Sequence, residues 1–250
     1  MKIVDNVMKL TLTLLLTMGL AACGQSPGAS ATTGDKPTSA NSKAGDGSTP
    51  AHAALLASGD PQAVVTNAMM LMRTQQTYRI RSTSVVSGAG GGDQATTSVR
   101  EFVAPDRRHN IEDGREVISI GKITYMKKGG AWQNLGTQMS DMADRMKGRV
   151  QELSAEEKAE ATKGLSVGDY KSLGDEMLDG ILTAVYEMRS KFDTKMEGIP
   201  TVESVTKYWI AKSDGLFRKQ ETNGKEAGMK VTTTEIYEYD PSIRIEAPMP

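Results

Sequence analysis

Gly174-Asp175-Glu176-Met177-Leu178-Asp179-Gly180-Ile181-Leu182-Thr183-Ala184-Val185-Tyr186-Glu187 reads as two strands folded about one turn. Both central residues of a tight hairpin turn need positive φ, which Asp tolerates and Gly adopts freely, so Asp179-Gly180 is a strong hairpin signal. Outward from it, Asp169 to Leu173 leads into the first strand, and Val205 to Ala211, Leu216 to Thr222 and Met229 to Tyr239 follow the second. Ser213-Asp214-Gly215 and Asn223-Gly224 read as the turns between them. The chain closes on Ile243, Ile245 and a proline-flanked end.

Upstream the same alternation recurs. Thr77 to Ser87, Ala95 to Val103, Arg107 to Glu112, Glu116 to Ile120, Lys122 to Lys127 and Ala131 to Leu135 are strand-like, with turns at Ala104-Pro105-Asp106, Asp113-Gly114, Gly121 and Gly129-Gly130. This is an antiparallel meander. The glycine-rich stretch Gly88 to Asp93 lacks phosphate-loop spacing and any lysine or helix start behind it, so it reads as a hairpin connection. Ahead of the meander, Asp60-Pro61 has the form of a helix start, with Asp60 as N-cap and Pro61 at the first helical position. Val64, Val65, Ala68, Leu71 and Met72 then give that helix one apolar face through about Gln75.

Between the two groups of strands the period changes. Met139, Met142, Met146, Val150 and Leu153 recur at three and four residues, which predicts an amphipathic helix with a break at Gly148. Ser154-Ala155-Glu156-Glu157 has capping-box spacing and predicts a second helix ending near Gly164. The paired acids there complement the helix dipole, which explains them without catalysis. The methionine stripe fits two roles, core packing on the sheet or a lining that opens around a ligand, because the thioether side chain is adaptable.

The N-terminal end is of another kind. Lys2 and Lys9 precede an apolar run from Leu10 to Leu20, and small residues lead to Cys23, the one cysteine of the chain. That is a secretory leader, with an apolar run about half the roughly 20 residues a membrane-spanning helix needs. Leu20-Ala21-Ala22-Cys23 resembles the lipobox of bacterial lipoproteins, which implies cleavage before Cys23 and acylation of its thiol and new amino terminus. Two or more acyl chains anchor a protein stably. Residues 24 to 59 are mostly Gly, Ser, Thr, Ala and Pro and read as a disordered tether with a reach of roughly 30 Å. Gly24-Gln25-Ser26-Pro27-Gly28 spells a serine-hydrolase elbow, but no strand enters it and no helix leaves it. The organisation expected is therefore a leader over 1–22, a lipidated cysteine and linker over 23–59, and one domain over 60–250.

Composition narrows function further. Removing residues 1–22 takes away Lys2, Lys9 and Asp5 and leaves a formal charge of −2, so no basic excess points to nucleic acid. Three Phe, two Trp and seven Tyr against 15 Met imply an interior of aliphatic and thioether groups. His52 falls in the tether, and His109 stands beside Arg107 and Arg108 with no cluster at metal spacing, so it reads as solvated or locally hydrogen-bonded. No catalytic residue, metal site or cofactor is expected, and the chain does not read as an enzyme.

Leu173-Gly174-x-Glu176-x-x-Asp179-Gly180 with a strand through Tyr186, then Tyr208-Trp209-Ile210 ahead of Asp214-Gly215-Leu216, then Ile245-Glu246-Ala247-Pro248, resembles the LolA and LolB carriers and the mycobacterial LppX and LprG type of lipoprotein. The resemblance implies an α+β fold, a strongly curved antiparallel half-barrel of about eleven strands whose concave face is covered by helices. It makes the Met139 to Leu153 helix part of a lid, with Met139, Met142, Met146 and Val150 facing a space for acyl chains. The function implied is non-covalent binding or carriage of a lipid, acyl chain or other hydrophobic ligand, with the membrane engaged through Cys23 and another envelope lipoprotein as a partner. An anchored interaction or stress-sensing module with a filled interior is the alternative. Gly24 lacks the aspartate that resembles an inner-membrane retention signal, so the periplasmic face of the outer membrane is expected in a two-membrane envelope, and otherwise the outer leaflet of the cell membrane.

Overall fold

The computed structural model describes residues 56, 59–88, 91–152, 154, 165–192, 202–226 and 229–249. Helix α1 (Pro61–Thr74) starts as the sequence predicts. The Asp60 carboxylate accepts from the backbone N–H groups of Gln62 and Ala63 at 3.0 and 3.2 Å, and Pro61 follows it. Six strands come next: β1 (Thr77–Gly88), β2 (Gly91–Val103), β3 (Arg107–Glu112), β4 (Arg115–Ile120), β5 (Ile123–Lys128) and β6 (Ala131–Gly136). Helix α2 (Gln138–Glu152) separates them from β7 (Leu165–Leu178), β8 (Ile181–Phe192), β9 (Val202–Ala211), β10 (Phe217–Glu226) and β11 (Met229–Glu238). The eleven strands form one open, curved antiparallel sheet in the order β6-β5-β4-β3-β2-β1-β11-β10-β9-β8-β7.

Local chemistry accounts for the turns. At Asp179-Gly180 the φ values are 49° and 80°, and at Asp113-Gly114 they are 45° and 79°, so both pairs adopt the left-handed backbone that a two-residue hairpin requires. Asn223-Gly224 does otherwise. The expected turn is absent, and both residues lie inside β10, where Gly224 faces Ser204 of β9 and Val231 of β11. Flanked on both sides by paired strands, this dipeptide takes the extended form, and Asn223 accepts at 2.9 Å from the Thr232 hydroxyl. Tertiary pairing outweighs turn propensity here. Helix α2 likewise runs through Gly148 without the expected break. The expected second helix over 154–164 lies outside the described residues, apart from Ser154.

Strand alternation gives the sheet two faces. On one, α1 inserts Val64, Val65 and Ala68 among Ile80, Ala184, Tyr186, Tyr208, Ile210, Phe217 and Tyr237. The other carries a smaller cluster near β3 to β6. There the segment after β11 lays Ile243 and Ile245 against Ile118, with Val103, Ile120, Tyr125 and Trp132 around them. Arg107 fastens this segment by donating to the Ile245 carbonyl at 2.7 Å.

Candidate functional site

The α1 face is uneven. Under α1 the packing is solid: Val65, Ala68 and Ile210 have 0 % exposure, and Phe217 lies between Tyr208 and Tyr237 at ring distances of 5.7 and 5.5 Å. Burial pushes the Tyr208 phenol up, and burial together with the Glu235 carboxylate does the same to Tyr237, whose hydroxyl donates to Glu235 at 2.9 Å. Glu235 is also paired with Arg100 of β2. All the buried members of this core come from α1, β1 and β8 to β11. Among the described residues strands β2 to β6 add none, and on their share of the face Thr124 is buried while Phe102, Val117 and Met126 are half-buried. Phe102 stacks on Tyr78 at 5.1 Å.

Helix α2 lies at the β5–β6 end of the sheet, where Ser140 donates to the Lys122 carbonyl at 3.1 Å and Lys122 pairs with Asp144 at 3.4 Å. Met139 and Met142 are each 53 % exposed on it. Two of the four proposed lid residues are thus located, as apolar side chains standing largely free. The side chains of Met146 and Val150 lie outside the described residues, as do Leu153, Cys23, His52 and the Gly24–Gly28 stretch. His109 is half-buried and fully engaged, with Nδ1 3.0 Å from Glu101 and Nε2 3.0 Å from Glu116. Among the described residues no cluster of three His, Cys, Asp or Glu could hold a metal ion, and no helix is long and apolar enough to cross a membrane.

A cavity of about 420 Å³ lies on the opposite face, across the ends of β7 to β11. Arg189, Lys191, Lys225 and Lys230 line it with Asp169 and Glu203, so its lining carries an excess of positive charge. In the α1-face pattern Tyr186, Tyr208 and Val231 point one way, and strict alternation turns Arg189, Lys191, Glu203, Lys225 and Lys230 the other. The sequence reading missed it. The signal was available in part, since basic residues alternate at Arg189 and Lys191 and flank the β10–β11 connection at Lys225 and Lys230. Their convergence depends on strand register.

No protein-family model matches the chain, and no curated protein does. Among solved structures, the Mycobacterium tuberculosis lipoprotein LppX is 13 % identical, with a TM-score of 0.46 over 80 % of this chain and 100 % of that one. LprF from Mycobacterium bovis is 12 % identical at a TM-score of 0.40, covering 75 % and 96 % of the two chains. A LolA superfamily protein from Nitrosomonas europaea is 10 % identical at 0.28, covering 72 % and 91 %.

Proposed function

We propose that this chain is a lipid-anchored envelope lipoprotein that binds or carries an apolar ligand without covalent chemistry. Leader cleavage before Cys23 and acylation there would tether the domain through residues 24–59, with location at the periplasmic face of an outer membrane or the outer leaflet of a single one. The observation that carries the ligand reading is the contrast within one sheet face: a sealed core over β1 and β8 to β11, and among the described residues no buried apolar cluster over β2 to β6, with exposed Met139 and Met142 on α2 at the β5–β6 end. Thioether side chains suit a lining that repacks around differently shaped chains. Burial contributes about 0.8 kcal/mol per methylene, so a few carbons give reversible affinity, and release would accompany movement of α2.

Solid packing beneath α1 favours a second reading, an anchored interaction module without a transported ligand. The test is displacement of a fluorescent fatty acid from the full chain in an uncharged detergent, with Met139→Glu and Met142→Glu compared. Carriage predicts uptake by the parent and at least a tenfold loss in the double variant, with the far-UV spectrum unchanged. Absence of uptake by the parent, or uptake unaffected by both charges, overturns it and leaves the module. Anchoring is tested separately: Cys23→Ser should move the protein out of the membrane fraction.

A further inference from the structure

The cavity on the face opposite α1 is lined by six charged side chains, four of them basic. Of its lining side chains only Val205 is aliphatic. Two of its cations are already neutralised, Arg189 by Glu187 at 3.0 Å and Lys191 by Glu203 at 3.2 Å. Lys225 and Lys230 are not: no carboxylate whose side chain is described lies within ion-pair distance of either. They are directly opposed cross-strand partners in the β10–β11 ladder, the arrangement in which like charges destabilise a sheet. Lys225 is also opposite Glu203 in β9, but that carboxylate is held by Lys191 on its far side. The cavity therefore keeps two exposed ammonium groups side by side at one end.

The other end is shaped by a bulge. The β7–β8 register shifts between Val167 and Tyr170, and an added Cβ on Gly168 would lie 2.0 Å from the Arg189 carbonyl oxygen, so only glycine permits this approach. The extra residue of a bulge re-aims its neighbour. Here that neighbour is Asp169, a carboxylate that accepts hydrogen bonds, at the rim away from the lysines. The geometry points to a binding site for a phosphate ester of a polyol, with Lys225 and Lys230 as point charges on the phosphate and Asp169 accepting from hydroxyls. Ammonium groups are established phosphate partners, and the volume lies within the range of small-molecule sites. The source of the phosphate is a lipid headgroup or a soluble ester. This site is independent of the apolar-ligand reading and shares no residue with it.

Calorimetric titration of the full chain in an uncharged detergent tests it, using glycerol 3-phosphate in one arm and a water-soluble short-chain phosphatidylglycerol in the other. The parent should bind at least one probe, more weakly as salt rises. The Lys225→Gln/Lys230→Gln variant should bind at least tenfold more weakly while its melting midpoint stays equal or rises, because the opposed charges are gone. Lys225→Arg/Lys230→Arg should retain binding. Preference for the short-chain lipid identifies a headgroup, and equal or better binding of glycerol 3-phosphate identifies a soluble ester. If the parent binds neither probe at millimolar concentration, or the glutamine variant binds as tightly as the parent, the site is refuted. Fatty-acid uptake measured on the same glutamine variant should be unchanged, which separates failure here from failure of the carrier reading.

Discussion

His109 stands between two carboxylates, which only accept hydrogen bonds, so the bridge from Glu101 to Glu116 is complete when both ring nitrogens carry a proton. The surroundings extend it: Arg79 pairs with Glu101 at 2.6 Å and with Glu238 at 3.1 Å, and Lys127 with Glu116 at 2.7 Å. Burial alone would raise the Glu101 pKa, but bonds from His109 and Arg79 outweigh it and hold the carboxyl below its usual value. Lys127 chiefly, with His109, lowers Glu116 against a smaller burial effect. Carboxyls depressed in the folded state contribute stability that is present above their unfolded pKa of about 4.3 and is lost as pH falls through the lower folded values. His109→Ala, which removes the side chain from between Glu101 and Glu116, should cost about 1–2 kcal/mol at neutral pH. Its stability should also fall less steeply than the parent's below about pH 4.3, because less depression remains to be lost. Urea unfolding at pH 7 and across pH 2 to 4.3 measures both, and identical curves for the two proteins would remove the bridge as a stabilising feature. The sequence left a solvated and a locally hydrogen-bonded histidine both open, and the structure takes the second. Its two partners were not, since they lie on β2 and β4 and meet it only through register.

At the scale of elements, two glycines divide by environment. Gly168 sits where β7 bulges against β8 and a Cβ would meet the Arg189 carbonyl, whereas at Gly224 the nearest atoms to a Cβ are the Glu203 and Val231 carbonyl oxygens at 3.8 and 3.9 Å, ordinary contact distances. Gly168→Ala should therefore destabilise by about 1–3 kcal/mol through forced backbone movement. Gly224→Thr should be neutral or stabilising by up to about 1 kcal/mol, because a strand interior favours a β-branched residue over glycine. Chemical denaturation of each variant checks the ordering, and a Gly224→Thr protein that loses more stability than Gly168→Ala would contradict the register described for β10. Most elements were legible: the Asp60 cap, both Asp-Gly turns and the strands of the meander follow from local spacing. Asn223-Gly224 was misread because its turn preference is a local quantity of order 1 kcal/mol, and ladder partners on both sides outweigh it.

Across the whole molecule, the first and last strands lie side by side, with Ile80 opposite Tyr237 and Arg79 opposite Glu238. The halves β2 to β6 and β7 to β10 are joined into one sheet only when residues from the two ends of the domain meet. The segment after β11 then crosses to the face away from α1 and seals the β3–β6 region with Ile243 and Ile245. Deleting residues 242–250 removes two buried isoleucines, worth about 1.5–3 kcal/mol each, and uncovers Ile118, Ile120 and Trp132. A loss of about 3–6 kcal/mol is expected with gain of binding to a hydrophobic dye. Equilibrium unfolding and dye fluorescence measure these, and unaltered stability would show that the tail is an ornament on the sheet.

The sequence alone determined what depends on neighbours along the chain: the Asp60 cap, the Asp113-Gly114 and Asp179-Gly180 turns and the alternation that makes antiparallel strands. Only the tertiary structure decided what depends on neighbours across strands. It packed α1 tightly over the β1 and β8–β11 part of one face, left Met139 and Met142 exposed at the other end, and set Lys225 against Lys230 beside a cavity lined by charged side chains. Alternation tells which residues share a face of one strand, but the groups that converge from five strands are chosen by register and bulges, and these follow from the free energy of the assembled sheet.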